Sequence, residues 1–252
     1  MDALRLLYDN LATRSTVAAS TTATGFPVSN LKDTRKSKLW RATGKTATLT
    51  VTLPASLLVG VVALVNVNFT PAATMRVRVG GFDSGVRPCC PQAVKTGHVR
   101  YAWAWIPRTA GATVTIDIAD PGNPSALQAG VLVVGDYWEP ESTNAEYDAP
   151  VSFNDTSKQS RTAAGDVLIE RGVQFRTVSF SMKAMDETDR SRVTALVGNS
   201  GARSPVLFSL FPQDDDPSKE AEYMLYGYLP TETRATYAAL GLYNTQIELQ
   251  EA

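Results

Sequence analysis

Three aromatic residues at alternating positions are the most chemically suggestive feature of this chain. Tyr101, Trp103 and Trp105 are separated by Ala102 and Ala104. Because successive side chains of a β-strand point to opposite faces, a strand here carries all three rings on one face. Such a row of rings can stack on sugars. It can equally fill a core or seal a domain contact, since large aromatic side chains gain most of their energy from buried area. The spacing favours a core or interface role and leaves glycan binding open.

A second candidate for chemistry is the acidic run Asp214, Asp215 and Asp216. Carboxylate oxygens suit calcium, but an EF-hand loop spaces its ligands and closes with a glutamate, and this run does neither. The run therefore predicts a solvated turn between strands, and no metal site is expected.

The single histidine, His98, is the residue that any Ser-His-Asp or Cys-His mechanism would need. No nucleophile-elbow pattern lies near it. Cys89 and Cys90 are adjacent and are the only cysteines, which gives neither a disulfide framework nor a metal-ligand spacing. We therefore assign no catalytic residue and no cofactor, and we do not expect an enzyme.

The composition limits the classes of partner. A formal net charge of -1 provides no basic surplus for a row of phosphates, so a nucleic acid is not expected as a specific ligand. No apolar stretch reaches the roughly 20 residues that span a bilayer, so no membrane insertion is expected. The first residues lack the features of a secretion signal, which predicts synthesis in the cytoplasm.

The elements that must position these residues are mainly strands. The first half alternates apolar and polar residues over several short runs, and residues 59–67 form a nearly continuous apolar run, which is typical of a strand covered on both faces. The pattern predicts an antiparallel β-sandwich. The apolar residues of the alternating runs are Leu49, Val51, Leu53, Met75, Val77, Val79, Val114, Ile116 and Ile118, and residues 131–134 form a further short apolar strand.

A polar, proline-bracketed stretch at residues 140–150 interrupts this pattern and predicts a domain boundary. We expect two domains, residues 1–140 and residues 141–252. Both are long enough to hold a core of their own.

The second domain combines strands with one short helix. Val178, Phe180 and Met182 share one face of a strand that begins near residue 173. Asp186 follows as the N-cap of a helix over residues 187–197, which Gly198 and Gly201 end. Further strands are predicted at 205–211, 223–229 and 245–250, with an acidic turn at 213–219 and with Ile247 and Leu249 facing inward.

The first half resembles the galactose-binding-like jelly rolls, including those of phage tail proteins. The resemblance rests on GFPVSNLKD at 25–33, LWRATG at 39–44, VGVVALV at 59–65, PAATMRV at 71–77, VLVVG at 131–135 and YWEP at 137–140. It implies an N-terminal jelly-roll β-sandwich.

The second half resembles the tail-tube-like β-fold of phage distal tail and baseplate proteins. The matching segments are SPVLF at 204–208, YGYL at 226–229 and IELQE at 247–251. The resemblance implies a homo-oligomeric ring, with a hexamer as the family expectation. It also implies three partners, the tail-tube protein, the tape-measure protein and the baseplate hub, and a place in the virion tail tip. In the better-known distal tail layout the ring-forming domain comes first, whereas here it comes second.

The leading hypothesis is therefore a structural component of a long-tailed bacteriophage tail tip that acts by oligomeric assembly. A closed ring removes exposed strand edges that invite uncontrolled pairing. The alternative is a carbohydrate-binding module that recognises the host cell surface through Tyr101, Trp103 and Trp105. The residues expected to contact a neighbouring subunit are Gln213, Asp214, Asp215, Asp216 and Lys219.

Overall fold

The computed structural model describes residues 3–91, 99–146, 149–213, 216–230, 234–239 and 241–252. Over these residues the chain is mainly β, with 49% strand and 12% helix, in sandwich-like antiparallel sheets. The predicted fold class, mainly β with sandwich-like sheets, is confirmed. Three residues that the sequence singles out, His98, Asp214 and Asp215, lie outside the described ranges.

The strands divide between two large sheets and two small ones. In chain order they are β1 (Arg5–Leu7), β2 (Thr16–Ala19), β3 (Trp40–Arg41), β4 (Thr46–Val65), β5 (Thr74–Val79), β6 (Phe82–Asp83), β7 (Arg87–Pro88), β8 (Tyr101–Ala119), β9 (Gln128–Ala129), β10 (Val131–Gly135), β11 (Val151–Asp155), β12 (Lys158–Arg161), β13 (Val167–Glu170), β14 (Gln174–Met185), β15 (Val206–Ser209), β16 (Met224–Tyr228), β17 (Arg234–Ala239) and β18 (Leu242–Glu251). The helices are α1 (Glu187–Asn199) and α2 (Pro217–Tyr223), with 3-10 helices at Leu11–Arg14 and Val28–Lys32.

The first large sheet has the order β10-β4-β8-β5-β6, with β2 on β4 and β7 on β5. Its central strands are unusually long, because β4 has 20 residues and β8 has 19. Each joins two runs that the sequence predicts as separate strands. The β4–β8 register shifts between Thr52 and Leu57. Pro54 lies in that interval, where its missing N–H is tolerated because the ladder is already interrupted.

The residues of β4 near its C-terminal end have both faces covered, as predicted for the apolar run. Val62 and Leu64 belong to the core of the first sheet. Val61, Ala63 and Val65 belong to a separate cluster that the second large sheet completes. We call the first sheet and the small β3–β9 sheet the first unit.

The second large sheet has the order β1-β15-β16-β18-β14-β11, with β17 on β18. With α1, α2 and the β12–β13 hairpin it forms the second unit. Strand β1 comes from the N-terminus and pairs with β15, Arg5 opposite Ser209. The predicted boundaries of 1–140 and 141–252 place β1 in the other domain. Three residues without apolar–polar alternation give no local signal of this distant pairing.

The predicted interior of the second sheet is confirmed. One buried cluster holds the inward face of β14, with its row Val178, Phe180 and Met182, together with Ile247 and Leu249 of β18. The rings of Phe180 and Phe208 stack with centroids 4.8 Å apart. Helix α1 covers this face of the sheet.

Helix α1 begins as predicted, since the Asp186 side chain accepts a hydrogen bond from the Asp189 N–H at 2.8 Å. It runs through Gly198 to Asn199, two residues past the predicted end, and Ser200 forms its C-cap. Nothing lies within 4 Å of a Cβ built on Gly198, so no close contact requires the chain to turn there.

A second helix replaces part of the predicted turn at residues 213–219, so the prediction of one helix is wrong. Asp216 accepts from the Ser218 N–H, and Pro217 occupies the start of α2. A proline at the first helical position loses no hydrogen bond, because that N–H has no partner within a helix.

Candidate functional site

The three aromatic residues of β8 lie between the two large sheets. Tyr101 is fully buried, and Trp103 and Trp105 are each 7% exposed. The residues packed with them across the contact are Leu7, Leu207, Ala221, Met224 and Tyr226 of the second unit. The rings therefore seal a contact between the sheets. A sugar cannot reach their faces in this arrangement, which corrects the glycan-binding role proposed for them.

The Tyr101 hydroxyl forms hydrogen bonds within a buried polar cluster of the second unit that contains Arg176 and Glu251. It donates to Glu251 Oε1 at 3.0 Å and accepts from the Tyr226 N–H at 3.1 Å. Arg176 Nη2 lies 2.7 Å from the same Glu251 oxygen. Burial, with the nearby Glu251 carboxylate, raises the pKa of Tyr101 well above its usual range, so the hydroxyl remains a donor.

A second buried carboxylate, that of Glu220, accepts a hydrogen bond from the Trp105 indole. Trp105 Nε1 donates to Glu220 Oε1 at 2.5 Å. Glu220 also accepts from Ser209 Oγ at 3.2 Å and from the Gln213 N–H at 3.1 Å. Burial raises the pKa of Glu220, and these hydrogen bonds oppose the rise.

The described residues of the 213–219 segment make contacts within the second unit. The Gln213 side chain accepts from Arg5 Nη1 at 3.0 Å, and Asp216 caps α2. Lys219 Nζ lies 4.1 Å from the centroid of the Phe211 ring. Their contact with a neighbouring subunit stays a prediction, and Asp214 and Asp215 lie outside the described residues.

A hairpin that projects from the second sheet was not anticipated as a functional feature. We define the arm as residues 156–173, which contain β12 and β13. At its base the Thr156 N–H donates to the Val173 carbonyl at 3.2 Å, and at its tip Gly165 turns the chain with φ +93°. Strands β12 and β13 pair only with each other in the described sheets.

The arm exposes three consecutive apolar side chains. Val167, Leu168 and Ile169 are 48%, 56% and 59% exposed. Since successive residues of a strand alternate sides, Leu168 lies on one face of the hairpin and its two neighbours lie on the other. The signal in the sequence is an apolar triplet after a glycine turn with no polar alternation.

A polar groove lies where the two units meet, and we call it the seam groove. It has a volume of about 500 Å³. Its lining residues are Tyr8, Asp9, Asn10, Thr13, Arg14, Thr34, Asn199, Ser204, Pro205 and Tyr226. Asp9 and Arg14 form a two-point ion pair at 2.6 Å and 2.7 Å. No motif in the sequence marks this site, because its residues come from distant segments.

The wall of the seam groove at residues 8–14 is fixed by specific contacts. The Asn10 side chain accepts from the Ala12 and Val134 N–H groups and donates to the Leu132 carbonyl. A Cβ at Gly135 would lie 2.8 Å from the Asp9 carbonyl oxygen, so the close crossing of this segment over β10 requires glycine.

The two cysteines are not placed for chemistry. Cys89 and Cys90 are buried, and neither forms a disulfide bond. Burial raises the pKa of Cys89 far above its usual range, which disfavours the reactive thiolate. In the part of the chain that the structure describes, no group of three or more His, Cys, Asp or Glu side chains is placed to hold a metal ion. None of the described helices is long and apolar enough to cross a membrane.

No family model and no curated protein matches the chain. Solved structures of sugar-binding modules are similar to it in fold alone. Chitosan-binding module 1 of a chitosanase/glucanase from Paenibacillus sp. IK-5 is 19% identical, with 51% of this chain and 99% of the module covered and a TM-score of 0.39. A Clostridium perfringens module solved with GalNAc-β-1,3-galactose is 13% identical, with 51% and 100% covered and a TM-score of 0.39. A fucose-binding module from Streptococcus pneumoniae is 9% identical, with 51% and 95% covered and a TM-score of 0.38.

Proposed function

We propose that this protein is a structural component of the tail tip of a long-tailed bacteriophage, and that it acts by assembling with copies of itself into a ring. The observation that carries the proposal is the arm. It presents apolar side chains and unpaired strand edges to solvent, and both features favour contact with another chain.

The shape of the arm favours a head-to-tail contact. An arm that reaches from one copy onto a different surface of the next gives a heterologous interface, and such an interface forms a ring when its rotation closes. The tail-tube-like resemblance of the second unit gives a hexamer as the expected ring. The tail-tube protein, the tape-measure protein and the baseplate hub are the expected neighbours.

Light scattering of the purified chain across a wide concentration range tests the assembly. We expect a discrete oligomer for the wild type and a shift towards monomer for Leu168→Lys, because a charge would enter the apolar contact. Leu58→Lys is the matched control, since Leu58 is 49% exposed on the first unit. A wild type that stays monomeric, or two variants that dissociate equally, would contradict assembly through the arm.

Antibody labelling of purified virions tests the location. Label at the tail tip is the expected result. Label confined to the head or the tail shaft would overturn the proposed position and leave the assembly result standing.

Carbohydrate binding is a second candidate function. Tyr101, Trp103 and Trp105 are buried, so the site would lie elsewhere. The seam groove is the observation that favours it.

A further inference from the structure

We infer that the seam groove is a binding site for a neutral saccharide. The inference rests on the second candidate function and supplies its site and its class of ligand. It is independent of assembly through the arm.

The charge of the groove selects a neutral ligand. Among the described residues that line the groove, only Asp9 and Arg14 carry ionised side chains, and they neutralise each other. A charged ligand would lose water without meeting an unpaired opposite charge, which is unfavourable. A neutral ligand has no such cost.

The polarity of the groove selects a ligand rich in hydroxyl groups. Pockets for apolar small molecules are lined mainly by hydrophobic side chains, whereas amide, hydroxyl, carboxylate and guanidinium groups dominate here. The volume of about 500 Å³ lies within the ordinary range for a small-ligand site, roughly 300–1,000 Å³.

The ion pair leaves donors and acceptors for such a ligand. Arg14 uses Nη1 and Nη2 to bind the two Asp9 oxygens. A guanidinium has five N–H donors and a carboxylate about four acceptor positions, so both groups retain capacity. Their side chains are 50% and 52% exposed, so a ligand can reach them. The half-buried Tyr8 ring adds a surface against which the C–H face of a sugar can pack.

The walls are already held in place without a ligand. Asn10 anchors one wall to β10. The Ser200 hydroxyl, next to Asn199 of the opposite wall, donates to the Tyr8 carbonyl at 3.3 Å. A site whose walls are preorganised loses less entropy when the ligand binds.

Titration of the ¹⁵N-labelled full chain with lactose, maltotriose, cellotriose and chitotriose tests the inference by NMR. We expect at least one of these sugars to shift the amide signals of residues 8–14, 199 and 204. A Kd of about 1 mM is expected for a groove open to solvent. Digalacturonate, the charged counter-probe, is expected to bind more weakly.

Two exposed side chains of the groove provide the variants. Arg14→Gln and Asn199→Ala should each weaken binding about tenfold, because each removes direct hydrogen bonds to the sugar. Arg76→Gln is the matched control, since Arg76 is also a half-exposed arginine paired with an aspartate, Asp83, outside the groove. Unchanged spectra away from the groove would show that the variants fold.

The outcomes separate the inference from the function on which it rests. Shifts clustered elsewhere, or binding unchanged in both groove variants, would overturn the groove as the site and keep carbohydrate binding. No response to any of the four neutral sugars would overturn both. Neither result bears on assembly through the arm.

Discussion

Arg176 and Glu251 form an ion pair inside the second unit, with side chains only 7% and 3% exposed and Nη2 lying 2.7 Å from Oε1. Arg176 also donates to the carbonyl oxygens of Glu222 and Met224, at 2.9 Å and 3.0 Å. The Tyr101 hydroxyl from the first unit donates to the same carboxylate. The contact between the sheets thus combines an apolar surface with one fully bonded polar centre.

Removing the arginine should leave the buried Glu251 carboxylate without its opposite charge. We expect Arg176→Met to lower the free energy of unfolding by about 3–5 kcal/mol, measured in urea. Arg35→Met is the control, because Arg35 is 63% exposed in its pair with Asp33, and solvent screens such a pair so that its removal should change stability little. Similar losses in the two variants would show that the buried pair has no special role.

The Tyr101 hydroxyl should couple the two units. Tyr101→Phe keeps the ring in the apolar contact but leaves the Tyr226 N–H and a Glu251 oxygen without this partner. We expect a loss of about 1–3 kcal/mol in the free energy of unfolding. Tyr237→Phe, at a tyrosine that is 58% exposed, should change little. Equal stabilities of wild type and Tyr101→Phe would argue against the hydrogen-bonded link.

Glu220 should make stability depend on pH in a specific direction. Its pKa is raised by burial above the ordinary value of 4.5. At pH values between 4.5 and the raised pKa of the folded state, the folded state keeps a proton that the unfolded state has lost. The free energy of unfolding therefore falls as the pH rises through this window. Glu220→Gln should flatten this part of the curve in urea titrations at successive pH values. A curve of the same slope for the variant would exclude Glu220 as the source.

The faces of the strands were predictable because they follow from local alternation. The row Tyr101, Trp103 and Trp105 and the row Val178, Phe180 and Met182 each lie on one buried face. The residues that pack against each face were not predictable from local alternation, because they come from distant parts of the chain. The partner of Trp105 is Glu220, 115 residues away, and only the assembled fold brings them together.

The missed elements have different causes. The start of α2 was present as a local signal, since Asp216 and Pro217 form a standard cap and first position. Strand β1 had no such signal, because its position depends on pairing with β15. The seam groove combines residues 8–10, 13, 14, 34, 199, 204, 205 and 226, so no single motif could reveal it.

Gly227 should tolerate no side chain, because β16 and β18 approach closely there. A Cβ at this position would lie 2.0 Å from the Gln250 carbonyl oxygen. We expect Gly227→Ala to lower the free energy of unfolding by about 1–3 kcal/mol, as overpacking does. Gly81→Ala is the control, since nothing lies within 4 Å of its added Cβ. A thermal midpoint unchanged in Gly227→Ala would contradict this close approach.

The arm should be dispensable for folding and necessary for assembly. Replacing residues 157–172 with Asn-Gly joins Thr156 to Val173, which already face each other, through a turn suited to two antiparallel strands. Every residue of β12 and β13 is exposed, so the free energy of unfolding should change by no more than about 0.5 kcal/mol. The free energy of unfolding of the excised protein is compared with that of the monomeric Leu168→Lys variant, because an oligomer is stabilised by association itself.

The excised protein should be monomeric in light scattering. A loss of several kcal/mol would mean that the arm belongs to the folded body, and an intact oligomer would mean that another surface joins the copies.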